Sequence, residues 1–497
     1  MNASIGGSRA VDKVISRGCG LHQSLVHRHD ASLLSTRSKT VVTNAVPVPR
    51  RLQIRSGQRR VGAECAGLSI FNDPVKRIRP HIVIFLILGI ATAAKIVWAA
   101  NSAGTVDTVL FFNFARALHT DSLHNLYLHS SRFNHTPLTA LLVSAVYALS
   151  ADSILRFAFI LRCVSIFADV ILVAALVRWR DRLGAPPWWA LGLFAASPVS
   201  LMISGFHGNI DPIMTLLLFF AACACVFRRP LWCGLFLALA SNIKVVPLIL
   251  TPIFFFFWLG RRQAAKFTIA TALLLFAGAA LPLWQCPLLY LRNVYGYNSY
   301  WGVWGLTYWL HQTGWSTLQT IGFEHLTFLQ LLIAQILKTF VLVGISTLAW
   351  KRRHCQPKEV FETLAWSWLF LFAFLPGLGP QYAVWLAPFV LLLSARWYAF
   401  LTVAASIFLF AFYQSTSTSG FPWFFALPLE AHTPIWSAWG NVFWVALIIV
   451  LALQTPAVWN RAASQREGII PHFDESELCN DRELLHKIQC SHGPVSG

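Results

Sequence analysis

From residue 82 to residue 454 the chain is a succession of apolar runs of helix length, and the short charged gaps between them carry mostly Lys and Arg. Inside a bilayer no water reaches the backbone N–H and C=O groups, so such runs must be helices whose hydrogen bonds close within the segment. With 56% hydrophobic residues and only 12% charged ones, the chain is predicted to be an all-α polytopic membrane protein. The net charge of +19 does not point to nucleic acid, because fourteen Lys/Arg against four acidic residues fall within residues 1–80. The other basic residues form short clusters of the kind retained on the cytoplasmic side of a membrane. Ten cysteines are scattered without a Cys-x-x-Cys pair. Cys163, Cys223, Cys225 and Cys233 lie in apolar runs, where a small thiol is ordinary packing material.

Length and charge together predict a topology. About twenty apolar residues cross a bilayer, and the run 82–100 qualifies, with Lys76, Arg77 and Arg79 placing its start in the cytoplasm. The run Pro137–Ser150 is only about fourteen residues, and if it crossed, Arg178, Arg180 and Arg182 would be external. Laid along the outer surface as an interfacial helix, it returns those residues to the cytoplasmic side. Arg228/Arg229, Arg261/Arg262/Lys266, Lys351/Arg352/Arg353, Arg396 and Arg461 fall there too. About twelve spans follow, near 82–100, 156–178, 187–206, 211–227, 231–242, 245–259, 265–285, 326–350, 360–378, 382–395, 397–414 and 436–454. Residues 1–78, basic and without a sustained apolar period, are expected to be a disordered N-terminal region. Residues 79–456 then form one transmembrane domain, and 457–497 a cytoplasmic tail.

This topology gathers the polar segments on one face: the loop 101–155, the turn His207–Asp211, the loop 286–325 and the turn Pro376–Tyr382. The short pair of runs meeting at Ser241–Pro247 points the same way and reads as a broken hairpin that lowers Lys244 into a cavity. An ionisable or amide side chain between apolar runs, as in Ser204-Gly-Phe-His-Gly-Asn-Ile-Asp211, is costly there and is kept for a use.

These segments resemble a known family. Asp107 with the aromatic stretch after it, Leu126-Tyr127 and Asn134-His-Thr-Pro-Leu-Thr139 look like the first external loop of the integral-membrane C-type (GT-C) glycosyltransferases. Arg162, Asp169, the Gly205–Asp211 segment, Ala238-Leu-Ala-Ser-Asn-Ile-Lys244 and Pro376-Gly-Leu-Gly-Pro-Gln-Tyr-Ala-Val-Trp385 add to the likeness. Within that group the chain is most similar to the bacterial polyprenyl-phosphate-sugar transferases of glycosyltransferase family 87. The resemblance implies a plasma-membrane enzyme that takes a hexose or pentose, a mannose-type sugar being favoured over an arabinose-type one, from a polyprenyl-phosphate donor. It would pass that sugar to a glycan or glycolipid acceptor at the extracytoplasmic face, with inversion.

Each candidate residue has a plainer reading beside the catalytic one. An acceptor hydroxyl that attacks an anomeric carbon needs a carboxylate to take its proton. Asp107 is the candidate, and its alternative is a cap on a helix starting near Thr108. Inversion needs one such base, whereas retention needs a second carboxylate. His207, Asn209 and Asp211 are expected to orient substrate, although Asp211 followed by Pro212 is also a helix-start signal. Lys244 and Arg292 are candidates for the departing phosphate; Lys244 could instead snorkel, and Arg292 sits in an aromatic belt. Tyr127 and His135 are candidate acceptor or lipid-phosphate contacts, and Gln381 and Tyr382 either line the site or fix their turn. Arg162 and Asp169, seven residues apart, are too distant for a pair within one helix, so each is expected to engage another helix. No HExxH or external DxD motif is present, so no metal or other cofactor is expected. A secondary transporter would use the same charges at broken helices, and a non-catalytic membrane assembly subunit is the third class.

Overall fold

The structure, a computed structural model, describes residues 79–130, 132–296, 300–322, 325–416 and 434–467. The expectations for residues 1–78 and for the tail beyond 467 lie outside the described residues. In chain order the main helices are α1 (Pro80–Ala100), α2 (Val106–Thr120), α3 (Leu123–His129), α4 (Pro137–Ser150), α5 (Ile154–Arg178), α6 (Trp188–His207), α7 (Asp211–Val226), α8 (Pro230–Ile243) and α9 (Val246–Leu259). They continue with α10 (Ala264–Gln285), α11 (Phe328–Lys351), α12 (Val360–Phe374), α13 (Pro380–Leu393), α14 (Ala395–Thr416) and α15 (Pro434–Glu467). The described residues contain no strand, only one antiparallel bridge between Trp301 and Gly322. The all-α polytopic class is the observed one.

Among the described residues seven helices, α1, α5, α6, α10, α11, α14 and α15, are long and apolar enough to cross a membrane. The other five expected spans are helices but shorter: α7 has 16 residues, α8 has 14 and α12 has 15, and α9 and α13 are comparable. Each of the five abuts a break written into the sequence. Gly208, in the left-handed region at φ +80°, precedes α7. Lys244, extended at φ −149°, ends α8. Pro376 and Pro380 separate α12 from α13, and the residue before a proline is pushed out of the helical region.

A helix can stop inside a bundle when neighbours take up its freed carbonyls, and here they do. The Thr136 hydroxyl donates to the Asn242 carbonyl, and that of Thr139 to the Ile243 carbonyl at 2.7 Å, closing the end of α8. At the end of α12, Trp304 Nε1 donates to the Phe372 carbonyl and Trp444 Nε1 to that of Ala373, each at 2.9 Å. Thr307 donates to the Pro376 carbonyl at 2.5 Å.

Helix α4 has 14 residues and is about 21 Å long at 1.5 Å per residue, short of a hydrocarbon core of about 30 Å. It starts at Pro137 and buries Thr139, Ala140, Val143 and Val146, packing against α2 and α5. The turn from α7 to α8 is closed by Arg228 at φ +55°, and α8 then lies between α7 and α10. Helix α15 continues past Pro456 to Glu467, so the domain boundary expected at 456 falls inside a helix.

Candidate active site

The site is built on the interruption between α6 and α7. Ser197, whose side chain accepts from the Ser200 N–H, restarts α6 at Pro198. From Leu201 to His207 the helix widens to a π-helix and ends at Gly208. The carbonyls freed by this break are accounted for. That of His207 accepts the Thr105 hydroxyl at 2.8 Å, and that of Asn209 accepts the Ser165 hydroxyl at 2.5 Å. Arg162, fully buried, donates to the carbonyls of Phe206 and Ser102, so its charge meets the carboxyl end of a helix, where a cation is favoured.

Gly208 cannot be replaced freely. A Cβ there would run into the Thr108 hydroxyl, in a conformation that L side chains rarely adopt. Gly208→Ala is expected to lose about 1–3 kcal/mol of stability and to displace His207 and Asn209. A lower thermal midpoint in detergent together with reduced transfer is the readout.

Asp107 is the second residue of α2, with Thr105 before the helix and no capping hydrogen bond from any side chain. Asp107 is therefore not the cap of α2: Thr105 holds that position, and the Asp107 carboxylate is engaged by groups from other elements. His207 Nε2 lies 3.0 Å from Asp107 Oδ2, Asn209 Nδ2 donates to the same oxygen at 2.8 Å, and Gln381 Nε2 does so at 3.5 Å. The side chain keeps 27% of its exposure, and no described residue hydrogen-bonds Oδ1. Burial alone would raise the Asp107 pKa. The hydrogen bond from His207, the Lys244 ammonium and the Asn209 amide outweigh it and hold the carboxyl below its ordinary value.

Asp211 is fully buried, the first residue of α7, and it caps nothing. The N-cap alternative is corrected: Ile210 occupies the cap, because the Asp211 carboxylate is engaged across the bundle instead. Its Oδ1 accepts from Lys244 Nζ at 2.8 Å and from Trp385 Nε1 at 2.6 Å, and its Oδ2 is buried without a partner. Lys244 does not snorkel. Its ammonium lies 4.5 Å and 5.1 Å from the ring centroids of Tyr382 and Trp385, whose rings stack 4.0 Å apart. The carboxylate and the two ring faces hold the ammonium in place inside the bundle.

His135, beside Phe111 and Phe133, is buried with Nδ1 unpartnered. Burial first and then the Lys244 charge hold its pKa down to about 3, against a smaller opposing effect of Asp107. Gln381 Oε1 is likewise buried and unpartnered. These two atoms and Asp211 Oδ2 are polar positions that the protein itself leaves unfilled.

The structure thus brings together Asp107, His207, Asn209 and Gln381, with Asp211, Lys244 and Tyr382 beside them and His135 within reach of their charges. Two predicted residues are placed otherwise. The Tyr127 hydroxyl is spent on the His135 carbonyl at 2.7 Å, so Tyr127 shapes the loop that presents His135. Arg292 is exposed on the short helix Leu291–Tyr295 and makes no hydrogen bond to this group. Arg162 and Asp169 each engage other helices, as their spacing requires; Asp169 Oδ2 takes Lys95, Ser200 and Ser204. Three participants were not foreseen: Tyr413, Lys95 and the indole N–H of Trp385. Lys95, an ammonium inside the first apolar run, was the legible signal among them. Among the described residues no group of three or more His, Cys, Asp or Glu side chains could hold a metal ion.

The site is thus a partly exposed carboxylate set against a helix break, with a lysine close by, in an all-helical bundle. Residues 118–260 match the MptA_B family model, described as alpha-(1->6)-mannopyranosyltransferase, N-terminal domain. That segment is under a third of the chain; it carries Tyr127, His135, His207, Asn209, Asp211 and Lys244 and agrees with the GT-C likeness of the motifs. No curated protein matches the chain.

Proposed function

We propose that the protein transfers a mannose-type sugar from a polyprenyl-phosphate donor to a glycan or glycolipid acceptor at the extracytoplasmic face of the plasma membrane. The observation that carries this reading is Asp107, with Oδ2 fixed by His207 and Asn209 and Oδ1 left open. The acceptor hydroxyl oxygen attacks the anomeric carbon, the bond from that carbon to the phosphate oxygen breaks, and the hydroxyl proton passes to Asp107 Oδ1. Polyprenyl phosphate leaves with the bonding electron pair, and a single displacement inverts the anomeric centre. Lys244 uses one of its three N–H donors on Asp211, leaving two to meet the departing phosphate. Metal is not required by this arrangement of charge.

The basic clusters support the sidedness. Arg261 donates to the carbonyls of Arg353 and Cys355, Arg352 and Arg461 share Glu362, and Lys351 lies over Trp459. These groups, from separate helices and the turns beside them, meet at one end of the bundle, the end that the charge rule assigns to the cytoplasm. The site lies at the opposite helix ends.

The purified protein in lipid nanodiscs, given polyprenyl-phosphate mannose and a mannoside acceptor, is expected to release polyprenyl phosphate and yield an α-linked product from a β-linked donor. Absence of release across a panel of polyprenyl-phosphate sugars would sink the donor assignment. A product that retains the donor's anomeric configuration would sink the single displacement.

A further inference from the structure

Tyr413 belongs to α14, more than 200 positions after His207 and outside the matched segment, and it is 1% exposed. Its hydroxyl lies 2.8 Å from His207 Nδ1, while the other ring nitrogen, Nε2, faces Asp107 Oδ2 at 3.0 Å. The ring of Tyr413 stands edge-on to Phe206, with centroids 5.1 Å apart. The hydroxyl is therefore aimed by packing and not free to search for partners.

A neutral imidazole carries one proton and can hold it on either nitrogen, and the hydrogen-bond partners decide which. An ionised carboxylate only accepts, so the nitrogen facing Asp107 must carry the proton. A phenol is un-ionised at neutral pH and can donate. We propose that Tyr413 is a positioning residue: by donating to His207 Nδ1 it fixes the tautomer in which Nε2–H donates to Asp107 Oδ2. That leaves Oδ1 to receive the acceptor proton. The inference rests on Asp107 being the base. In the other tautomer the Nε2 lone pair would face the carboxylate, raise its proton affinity and turn it from the reacting geometry.

The titratable and charged groups around the dyad come from six elements. They are Asp107 of α2, His135 before α4, Asp211 at the start of α7, Lys244 after α8, Tyr382 in the first turn of α13 and Tyr413 of α14. The Lys244 ammonium and the hydrogen bond from His207 favour the ionised Asp107; Asp211 is already paired with Lys244. Arg162 reaches only backbone carbonyls of this region. Among the described residues Tyr413 is the group that meets His207 Nδ1, so it supports from that side the tautomer that the Asp107 carboxylate favours from the other.

Tyr413→Phe keeps the ring and its contact with Phe206 and removes the donor alone. The expected result is about a tenfold fall in kcat with KM changed less than about twofold. The acid limb of the kcat/KM profile is expected to move up by about one pH unit. In a His207→Gln background, where no tautomer exists, adding Tyr413→Phe is expected to cost nothing further. An unchanged rate and acid limb in Tyr413→Phe overturns the inference, as does an equal further loss in the His207→Gln background, which marks a packing role. Histidine 15N chemical shifts of the unsubstituted protein give a check independent of how the variants fold: His207 found with its proton on Nδ1 overturns it outright. Asp107→Asn run in parallel separates the two claims. If that variant retains transfer, the base assignment fails; if it is inactive and Tyr413→Phe is silent, the base stands and only the tautomer role falls.

Discussion

Asp107→Asn is expected to lower kcat about 10²- to 10⁴-fold, the range over which a positioned general base contributes, with little change in donor affinity. The amide nearly matches the carboxylate in shape and removes its negative charge together with its capacity to take a proton. The detergent-solubilised variant should therefore elute and unfold as the parent does. Its effect is then chemical, and a variant that transfers sugar at the parental rate would eliminate Asp107 as the base. The pH dependence follows with a definite sign. The folded pKa of Asp107 lies below its ordinary value, so the basic form persists as pH falls through about 3.9, the usual carboxylate value. Transfer should be lost only below that point. An acid limb near neutrality would mean that some other group is titrating.

The second large effect concerns stability. Lys95 and Asp169 pair at 2.7 Å inside helices α1 and α5, and Lys95 is 3% exposed. Asp169 Oδ2 also accepts from Ser200 and Ser204 at 2.5 Å each. Ser204 lies on the part of α6 that widens before His207 and Ser200 immediately ahead of it, so the pair pins the segment that carries the site. Asp169→Ala removes every one of these partners and leaves an ammonium buried in a span. Breaking a buried pair from one side costs about 3–5 kcal/mol. A cavity of about 20 Å³ beside the pair, bordered by Ser197, Ser200 and Thr215, has room for one water molecule, which places the expected loss in the lower half of that range. Thermal unfolding in detergent measures it. The double variant Lys95→Met/Asp169→Leu removes both charges and should recover most of the loss. If Asp169→Ala unfolds at the parental temperature, the pair is not what holds α1, α5 and α6 together.

Much of the architecture is legible in one dimension because the bilayer imposes a local rule: a run either satisfies its own backbone hydrogen bonds or it does not cross. That rule, with the sign of the charges between runs, locates the helices. It does not separate full crossings from short ones. Helix α8 ends at Lys244 because hydroxyls of Thr136 and Thr139, more than 100 positions away, accommodate its last carbonyls.

The site divides in the same way. Asp107, His207, Asn209, Asp211 and Lys244 stand out in sequence because polar groups at apolar boundaries are expensive and therefore conspicuous. Tyr413 and Trp385 do not stand out. An aromatic residue in an apolar run is ordinary, and only its hydroxyl or indole N–H, once packed against a distant partner, becomes chemical. Arg292 shows the reverse error, since a cation among tyrosines looks equally suited to a phosphate and to an interface.

The sequence by itself determined a polytopic helical bundle, the breaks within it and the carboxylate to suspect, since these follow from solvation cost and backbone geometry, which act residue by residue. The tertiary structure alone decided which oxygen of Asp107 is occupied, that Asp211 neutralises Lys244 rather than capping α7, and that Tyr413 faces His207. Those outcomes depend on angles and distances of a few ångströms between helices far apart in the chain, and a hydrogen bond exists only when that geometry is met.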